Sequence, residues 1–310
     1  MIDVLEAAAL AGFLTAAVRV ATPLLLAALG ETMTERAGVI NLGLEGAMLA
    51  GALAGALGSL KAGPWEGLAL AVVAGAMVAT LFGAIVVFAG ANQIIAGTAV
   101  TLACVGLTGA IHRAWIASGT AAPVVPTLAS APIPLLSRLP IVGPALFAQP
   151  VPTYVGLALV PLLWWALFRT RPGLALRAAG ESAAMARAAG AQVRLLRMGA
   201  TVFGGAMGGL AGASLVLGQV GSFAERMTAG RGYVAIAIVA LGRWHPVGAA
   251  IAALIFGAAT ALQFVFQSLG LDVPYQLFLM FPYVLTLLAL AGAVGRTRPP
   301  ADLGRDLGTT

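Results

Sequence analysis

The stretch PWEGLALAVVAGAMVATLFGAIVVFAGA, residues 64–91, decides the expected fold, because its only charged side chain is Glu66. Apolar runs of about 20 residues are long enough to cross the hydrocarbon core of a bilayer as a helix. Residues 38–60 form a second such run, in which only Glu45 is charged. The whole chain of 310 residues is 60% hydrophobic and 9% charged, whereas ordinary soluble domains are about 25% charged. We therefore predict an all-α, polytopic bundle of transmembrane helices.

Nine apolar segments follow one another along the chain. They cover residues 5–29, 38–58, 64–88, 93–117, 153–168, 198–219, 231–242, 246–268 and 275–294. The segment 231–242 is too short to cross a bilayer alone, because a helix rises only about 1.5 Å per residue, and the sequence Gly242-Arg243-Trp244-His245-Pro246 closes it. We predict one transmembrane domain over residues 1–310 with about eight to ten spans, of which this segment is a broken or partial one.

Two long connections differ in composition. Residues 118–152 hold eight prolines and one charged side chain, Arg138, and prolines at this density exclude a long helix. Residues 169–197 hold six arginines and one acid, Glu181, and residues 296–310 add three arginines. Because arginine-rich loops remain on the cytoplasmic side, we expect 169–197 and 296–310 in the cytoplasm and 118–152 outside. The net charge of +6 then serves membrane topology, and no nucleic-acid partner is expected.

Small residues recur every four positions in two of the apolar segments. The first row is Gly43, Ala47, Gly51 and Gly55, and the second is Gly204, Gly208 and Gly212. Such rows let membrane helices approach each other closely. We predict that they are helix-packing faces with a structural role.

Two polar residues near the start of the second apolar segment are the main candidates for a translocation pathway. A carboxylate inside a membrane helix, here Glu45, is costly and usually faces the bundle interior or a water-filled cavity. Asn41 precedes it by four residues, which in a helix places both on one face, opposite Gly43 and Ala47. Two interpretations stay open: Glu45 lines the pathway, or it makes a structural hydrogen bond to a neighbouring backbone group or arginine.

Weaker polar sets occur in two other segments. Asn92 and Gln93 open the segment at 93 and are followed by Thr98, while Gln263 and Gln267 share one helical face. Each set could line the same pathway. For Asn92 the alternative is a helix cap, which asparagine favours.

Patterns typical of catalysis or of metal binding do not occur in the sequence. Cys104 is the only cysteine and Lys61 the only lysine, so neither a cysteine metal site nor a phosphate-binding lysine loop is possible. A nucleophile motif is also missing. We expect no catalytic residue, no metal and no cofactor in this chain, which cannot itself hydrolyse nucleotide by the phosphate-loop route.

The arginine-rich connection contains one further predicted element. Residues 181–189 form an alanine-rich stretch between Gly180 and Gly190, which predicts a short helix with Glu181 at its positive N-terminal end. Composition alone leaves two interpretations open, a docking element for a soluble partner or a solvated basic loop.

Five stretches resemble the ABC importer permeases of the branched-chain amino acid/ribose class, and most closely the simple-sugar and nucleoside branch. They are ETMTERAGVINLGLEGAMLAGA (31–52), ANQIIAGTAVTLACVGLT (91–108), GLALRAAGESAAMARAAG (173–190), GGAMGGLAGASL (204–215) and GRGYVAIAIVALGRWHPVGA (230–249). The first and last are the most specific. The resemblance implies a permease subunit in the bacterial cytoplasmic membrane that transports a nucleoside or, as the second choice, a simple sugar.

The resemblance also implies partners and a role for the short helix. The partners are an ATP-binding subunit that holds ATP and Mg, a second permease subunit that is a paralogue, and an extracytoplasmic solute-binding lipoprotein. The residues of the loop that would couple to the ATPase are Gly180, Glu181, Ala184, Arg187, Ala188 and Gly190.

Two other classes of protein compete with this interpretation. A proton-coupled secondary transporter could use Glu45 as its proton site and would need no ATPase partner. A membrane-embedded enzyme would need converging acid, base or metal-binding groups, and the sequence offers no such group.

Overall fold

The structure, a computed structural model, describes residues 2–116, 124–268 and 298–305, together with Gln276, Met280 and Val284. Most of the predicted segment 275–294 lies outside the described residues, as do residues 118–123, 296–297 and 306–310. Within the described ranges the chain folds into helices and no β-strand forms.

The α-helices are α1 (Ile2–Arg36), α2 (Leu44–Ala62), α3 (Pro64–Gly83), α4 (Gln93–Ile111), α5 (Val142–Phe147), α6 (Val151–Arg169), α7 (Arg171–Glu181), α8 (Ala183–Ala188), α9 (Val193–Leu215), α10 (Arg231–Leu241) and α11 (Pro246–Ser268). Wider π-helical turns follow α3 (Ala84–Phe88), α4 (His112–Ile116) and α9 (Val216–Val220).

Six helical segments of the described ranges are long and apolar enough to cross a membrane. They are Ala9–Arg36, Pro64–Phe88, Gln93–Ala114, Val151–Arg169, Val193–Val220 and Pro246–Gln267. This confirms the predicted all-α membrane bundle. The predicted partial span is also present, because α10 has only 11 residues and ends at a turn in which Arg243 and Trp244 have φ values of 58° and 53°.

The end of α1 corrects the predicted start of the second segment at residue 38. Gly38 has φ +89°, a backbone conformation that glycine adopts at little cost. Its backbone N–H donates to Glu35 O at 2.9 Å, and the N–H of Val39 donates to Thr34 O at 3.1 Å. These two bonds form a Schellman motif, which ends a helix, so α1 continues to Arg36 and the chain then turns.

Asn41 consequently lies in the connection between α1 and α2. Helix α2 begins only at Leu44, so Asn41 does not precede Glu45 by one helical turn. The prediction that Asn41 and Glu45 share one helical face is wrong. It assumed a continuous helix over both residues, whereas the turn at Gly38 delays the start of α2.

Helices α2 and α9 pack against each other through glycines at the centre of the bundle. A side chain on Gly51 would overlap Gly209, and one on Gly212 would overlap the backbone carbonyl of Met48. The backbones therefore touch directly, as small residues allow in membrane bundles. In the other predicted packing positions, Gly55 faces Ala213, Gly208 faces Leu44, Gly204 faces Thr34 of α1, and Gly43 lies beside Val100 of α4.

The bundle has two chemically different ends. Helices α7 and α8 precede α9, and the C-terminal residues 298–305 lie against them, since Asp302 N donates to Gly180 O at 2.9 Å. The Pro-rich residues 124–150 lie at the far end of α9, where Leu128 N donates to Leu217 O at 2.7 Å. As the prolines predicted, these residues contain only the short helix α5 and one 3₁₀ turn. We call the two ends the α8 end and the Pro-rich end.

Candidate functional site

Glu45 caps the N-terminus of α10 from inside the bundle. Its side chain is buried, and Oε1 accepts hydrogen bonds from Thr228 Oγ1 at 2.6 Å and from Gly230 N at 2.9 Å. Oε2 accepts a third bond from Gly232 N at 2.7 Å. The first N–H groups of a helix have no partner within the helix and carry partial positive charge. A buried carboxylate at this position is therefore stabilised by the backbone of α10.

Gly232 permits this close approach. A Cβ atom at Gly232 would lie 2.7 Å from both Cα and N of Glu45, a distance too short for a carbon–carbon contact. The glycine therefore fits helix α10 against the first turn of α2. Gly230, at the residue before α10, has φ +82°, which turns the chain into the helix.

The segment from 221 to 241 is a span broken at its middle. It leaves the Pro-rich end, where Glu225 accepts a bond from the Arg113 guanidinium at 2.9 Å, and passes Thr228 without forming a helix. Beyond the point where Glu45 contacts it, the segment continues as helix α10 to the α8 end. There Trp244 Nε1 donates to Glu35 Oε2. Irregular backbone at membrane depth needs protein or water to satisfy its polar groups, and Glu45 satisfies two of the N–H groups at the break.

These bonds match the second interpretation of Glu45, a structural hydrogen bond to a neighbouring backbone. The predicted role of Glu45 in the pathway itself has no test in the geometry and stays a prediction.

A second buried polar group surrounds the end of α1. Asn41 N donates to Glu31 Oε1 at 2.9 Å, and Asn41, Glu31 and Glu35 are all buried. Within the described ranges, no partner bonds to either polar atom of the Asn41 side chain, to Glu31 Oε2 or to Glu35 Oε1. Buried polar atoms without a partner are costly and uncommon. This group is therefore a candidate to meet a polar solute or water.

The sequence argument did not single out Glu31 or Glu35. The signal was present in their spacing, because two carboxylates four residues apart lie on one face of a helix. Both residues were missed because the first apolar segment was expected to end at residue 29, which placed them outside any predicted helix.

The remaining predicted pathway residues do not join Glu45 in one hydrogen-bonded set. Asn92 accepts bonds from the N–H groups of Ile94 and Ile95, so it caps α4. Thr98 is exposed and donates to Ile94 O of its own helix at 2.8 Å. On α11, Gln263 is buried and Gln267 is exposed. Both lie in the last part of the helix, toward the Pro-rich end.

Gln93 makes a different contact from the one expected of a pathway residue. Its Oε1 accepts from Ile40 N at 2.7 Å, and its Nε2 donates to Arg305 O at 2.8 Å. The buried Gln93 amide therefore joins α4 to the α1–α2 connection and to the C-terminal residues.

The arginine-rich connection contains two helices where the sequence predicted one. Helix α7 ends at Glu181, and α8 begins at Ala183, so the predicted helix over 181–189 is too long and Glu181 is not in its first turn. The cause is Ser182, whose backbone is extended and whose hydroxyl accepts from Met185 N at 3.3 Å. Serine favours this position before a helix because its side chain replaces a missing backbone partner.

Helix α8 presents a mostly small and basic surface. Ala183 and Ala186 are buried, whereas Met185 is 76% exposed. The predicted coupling residues Ala184, Arg187, Ala188 and Gly190 are exposed, as is Glu181, while Gly180 is buried against Arg36 O. The predicted coupling set is thus mainly one accessible surface, which we call the α8 surface.

Metal binding finds no support in the described part of the chain, where no three His, Cys, Asp or Glu side chains group together. A bundle of membrane-crossing helices, with a broken span inside it and an exposed short helix at one end, has the features of the membrane subunit of a transporter. Residues 13–290 match the family described as branched-chain amino acid transport system / permease component. The chain belongs to this family of ABC importer permeases, which confirms the resemblance seen in the sequence.

Three relatives match over almost the full chain. The guanosine ABC transporter permease protein NupQ of Bacillus subtilis is 34% identical over 92% of this chain and 92% of its own length. The nucleoside ABC transporter permease protein NupC of Lactococcus lactis subsp. cremoris is 31% identical over 91% of this chain and 92% of its own. A provisionally named glucose ABC transporter permease protein, TsgC13 of Haloferax volcanii, is 35% identical over 93% of each. No solved structure matches the chain.

Proposed function

We propose that this chain forms part of the translocation pathway of an importer for nucleosides, with simple sugars as the second candidate. The observation that carries the proposal is the match to NupQ and NupC over at least 91% of the chain. The similar identity to TsgC13 keeps sugars as the alternative, because the shared helices and packing glycines do not select a solute.

The uptake experiment compares a strain lacking this chain with the same strain carrying it again. Uptake of radiolabelled guanosine is expected to fall at least about tenfold in the deletion strain and to return when the chain is restored. Glucose uptake is expected to stay unchanged. Lost glucose uptake with normal guanosine uptake would replace the first candidate with the second.

The second part of the proposal is that the α8 surface docks an ATP-binding subunit in the cytoplasm. Six arginines and one acid in residues 169–197 favour the cytoplasmic side by the positive-inside rule. The C-terminal residues pack against this end of the bundle, so they share that side, and the Pro-rich end faces outward. Small exposed side chains at Ala184 and Ala188 would let a partner approach the α8 backbone.

The family match supports a proposal for the rest of the complex. A separate ATP-binding subunit would hold ATP and Mg and hydrolyse the nucleotide, and this chain would act as the permease without an ATPase site of its own. A paralogous permease subunit would complete the pathway, and an extracytoplasmic lipoprotein would deliver the solute to the Pro-rich end. Within the pathway, the proposed role of Glu45 is to fix the broken span at residue 230. The buried polar groups of Asn41, Glu31 and Glu35, which have atoms without a hydrogen-bond partner, would meet the solute.

Bulky substitutions on α8 test the docking proposal. Ala184→Trp together with Ala188→Trp is expected to cut the amount of ATP-binding subunit that co-purifies by about tenfold or more, because truncating or blocking central interface positions costs about 2 kcal/mol or more. Ala62→Trp, at an exposed alanine of the Pro-rich end, is the matched control.

Charge reversal at Arg187 and Arg194 is expected to uncouple ATP hydrolysis from transport. Normal co-purification of the double tryptophan variant together with normal coupling in the charge-reversal variant would contradict the docking proposal.

A further inference from the structure

The C-terminal residues hold the start of α8 through one buried carboxylate. Asp302 is buried, with 7% of its surface exposed, and its Oδ2 accepts from Ala183 N at 2.8 Å. Ala183 is the first residue of α8. The backbone N–H of Asp302 also donates to Gly180 O at 2.9 Å, so a single residue of the tail bonds to both sides of the break between α7 and α8.

A buried arginine secures this carboxylate to the bundle. Arg197 of α9 is 3% exposed, and its guanidinium lies 3.8 Å from Asp302 Oδ2. The same guanidinium donates to Ala37 O at 3.1 Å and to Ala179 O at 3.2 Å. A buried charge of this kind needs its partners, because removing one leaves the other uncompensated. Asp302 therefore completes a junction between the tail, α7, α9 and the end of α1.

The tail has a second anchor on the far side of Asp302. Gln93 of α4 donates to Arg305 O at 2.8 Å and accepts from Ile40 N at 2.7 Å. Ile40 lies in the connection that leads into α2 and Glu45. Hydrogen bonds and the backbone of the tail therefore link the first residue of α8 to α4 and to the α1–α2 connection.

Helix α8 cannot hold its own position. It has six residues, far fewer than the about 12 that an isolated helix needs in water, and its buried side chains are two alanines. Its orientation must therefore come from neighbouring groups.

We propose that residues 298–305 act as a strut that positions α8, with Asp302 as the positioning residue, so that a push on the α8 surface reaches α4 and the α1–α2 connection. The proposal rests on the docking role of α8 proposed above. Nothing in the family match or in the relatives' names assigns a role to this segment.

The first measurement is hydrogen–deuterium exchange of the purified full-length chain in detergent. Asp302→Ala removes the acceptor for Ala183 N and the partner of Arg197. Exchange in residues 183–192 is expected to rise about tenfold, because a hydrogen bond to a charged group contributes about 1.5 kcal/mol or more. Deleting residues 298–310 is the second variant and is expected to give the same rise.

Arg305→Gln is the matched control. The Arg305 side chain is 66% exposed and bonds to the outer oxygen of Asp302 at 3.1 Å, while its contact with Gln93 uses the backbone carbonyl. Exposed ion pairs contribute little, so exchange in α8 is expected to change by about twofold at most.

The second measurement is solute transported per ATP hydrolysed by the complete transporter in proteoliposomes, with guanosine and glucose as parallel probes. Asp302→Ala is expected to lower this ratio while the amount of bound ATP-binding subunit stays near that of the wild type. A purely structural defect would lower transport and hydrolysis together and leave the ratio unchanged.

Three results would separate the proposals. Unchanged exchange in α8 for Asp302→Ala and for the deletion would overturn the strut. Faster exchange with an unchanged transport ratio would also overturn it, since α8 would then be loosened without consequence. A wild-type chain that binds no ATP-binding subunit would contradict the proposed function, whereas the exchange result would still decide whether the tail holds α8.

Discussion

Two helices of this protein begin at a carboxylate that comes from a distant part of the chain. Glu45 caps α10 at the break in the span, and Asp302 caps α8 at one end of the bundle. Glu45 meets a hydroxyl and two backbone N–H groups, whereas Asp302 meets one backbone N–H and two guanidinium groups. Backbone N–H groups make two of the three bonds in the first cap, whereas the second cap has one backbone N–H and depends otherwise on arginine side chains.

We infer from this difference that the first cap is the more rigid of the two. The N–H groups at a helix start are already oriented toward a carboxylate, so the Glu45 cap would fix the break in the span. The Asp302 cap depends on Arg197 and on the tail, so a partner docked on α8 as proposed would change its strength. We therefore expect the most disruptive substitution at the first cap, Gly232→Ala, to damage folding and transport together, and substitutions at the second cap to damage coupling.

Gly232→Ala should have the largest effect on this comparison, because its Cβ would lie 2.7 Å from Glu45 Cα. The overlap costs about 1–3 kcal/mol, and displacing the carboxylate removes bonds of about 1.5–3 kcal/mol each. We expect a lowered melting temperature of the purified chain and loss of nearly all uptake in cells.

The matched control is Gly106→Ala on α4, where a Cβ would meet no atom within 4 Å. It should leave melting temperature and uptake unchanged. Equal behaviour of the two variants would show that the contact between α2 and α10 is not close in the working protein.

Glu45→Gln should have an intermediate effect. The amide keeps the shape and one oxygen acceptor, but its NH₂ group must face a backbone N–H donor, that of Gly230 or that of Gly232. We expect an assembled protein with uptake reduced about tenfold, from the loss of roughly 1.5–3 kcal/mol for bonds to a charged group. Glu66→Gln, which changes an exposed acid of α3, is the control variant. The difference in uptake between the two variants gives the effect of losing the charged cap. Full uptake in Glu45→Gln would show that transport does not depend on the negative charge of Glu45.

Ser182→Ala should have the smallest effect. Its hydroxyl bonds to Met185 N at 3.3 Å, a long bond, while Asp302 already supplies an acceptor to the first residue of α8. We expect exchange in residues 183–192 to rise about twofold, near the lower limit of about 0.5 kcal/mol for losing a cap. A rise larger than that of Asp302→Ala would show that α8 depends on its own serine and not on the tail.

The sequence predicted the parts of the fold that depend on local patterns. Apolar runs located α3, α4 and α11 within a few residues, and the Gly242–Pro246 stretch correctly marked α10 as a partial span. The arginine-rich connection was harder, because Ser182 divides it into two helices and alanine-rich composition does not show the division. The start of α2 was missed for a similar reason, since one left-handed glycine at residue 38 outweighed the apolar pattern.

The candidate site was only partly predictable. Glu45 was recognised, because a carboxylate in an apolar run is conspicuous in any single sequence. Its partners Thr228 and Gly232 lie more than 180 residues away, and periodicity within a segment carries no information about such contacts. The same limit applies to Asp302 and Arg197, whose pairing depends on how the tail returns to the α8 end.

The most direct test of the central claim is solute uptake into proteoliposomes under two driving forces. The chain is reconstituted with an ATP-binding subunit and with the proposed paralogous permease and solute-loaded lipoprotein, and uptake of guanosine is measured with ATP or with a proton gradient alone. The account predicts uptake that requires ATP and the ATP-binding subunit and that a protonophore does not reduce. Uptake by this chain alone, driven by the proton gradient and lost in Glu45→Gln, would contradict it.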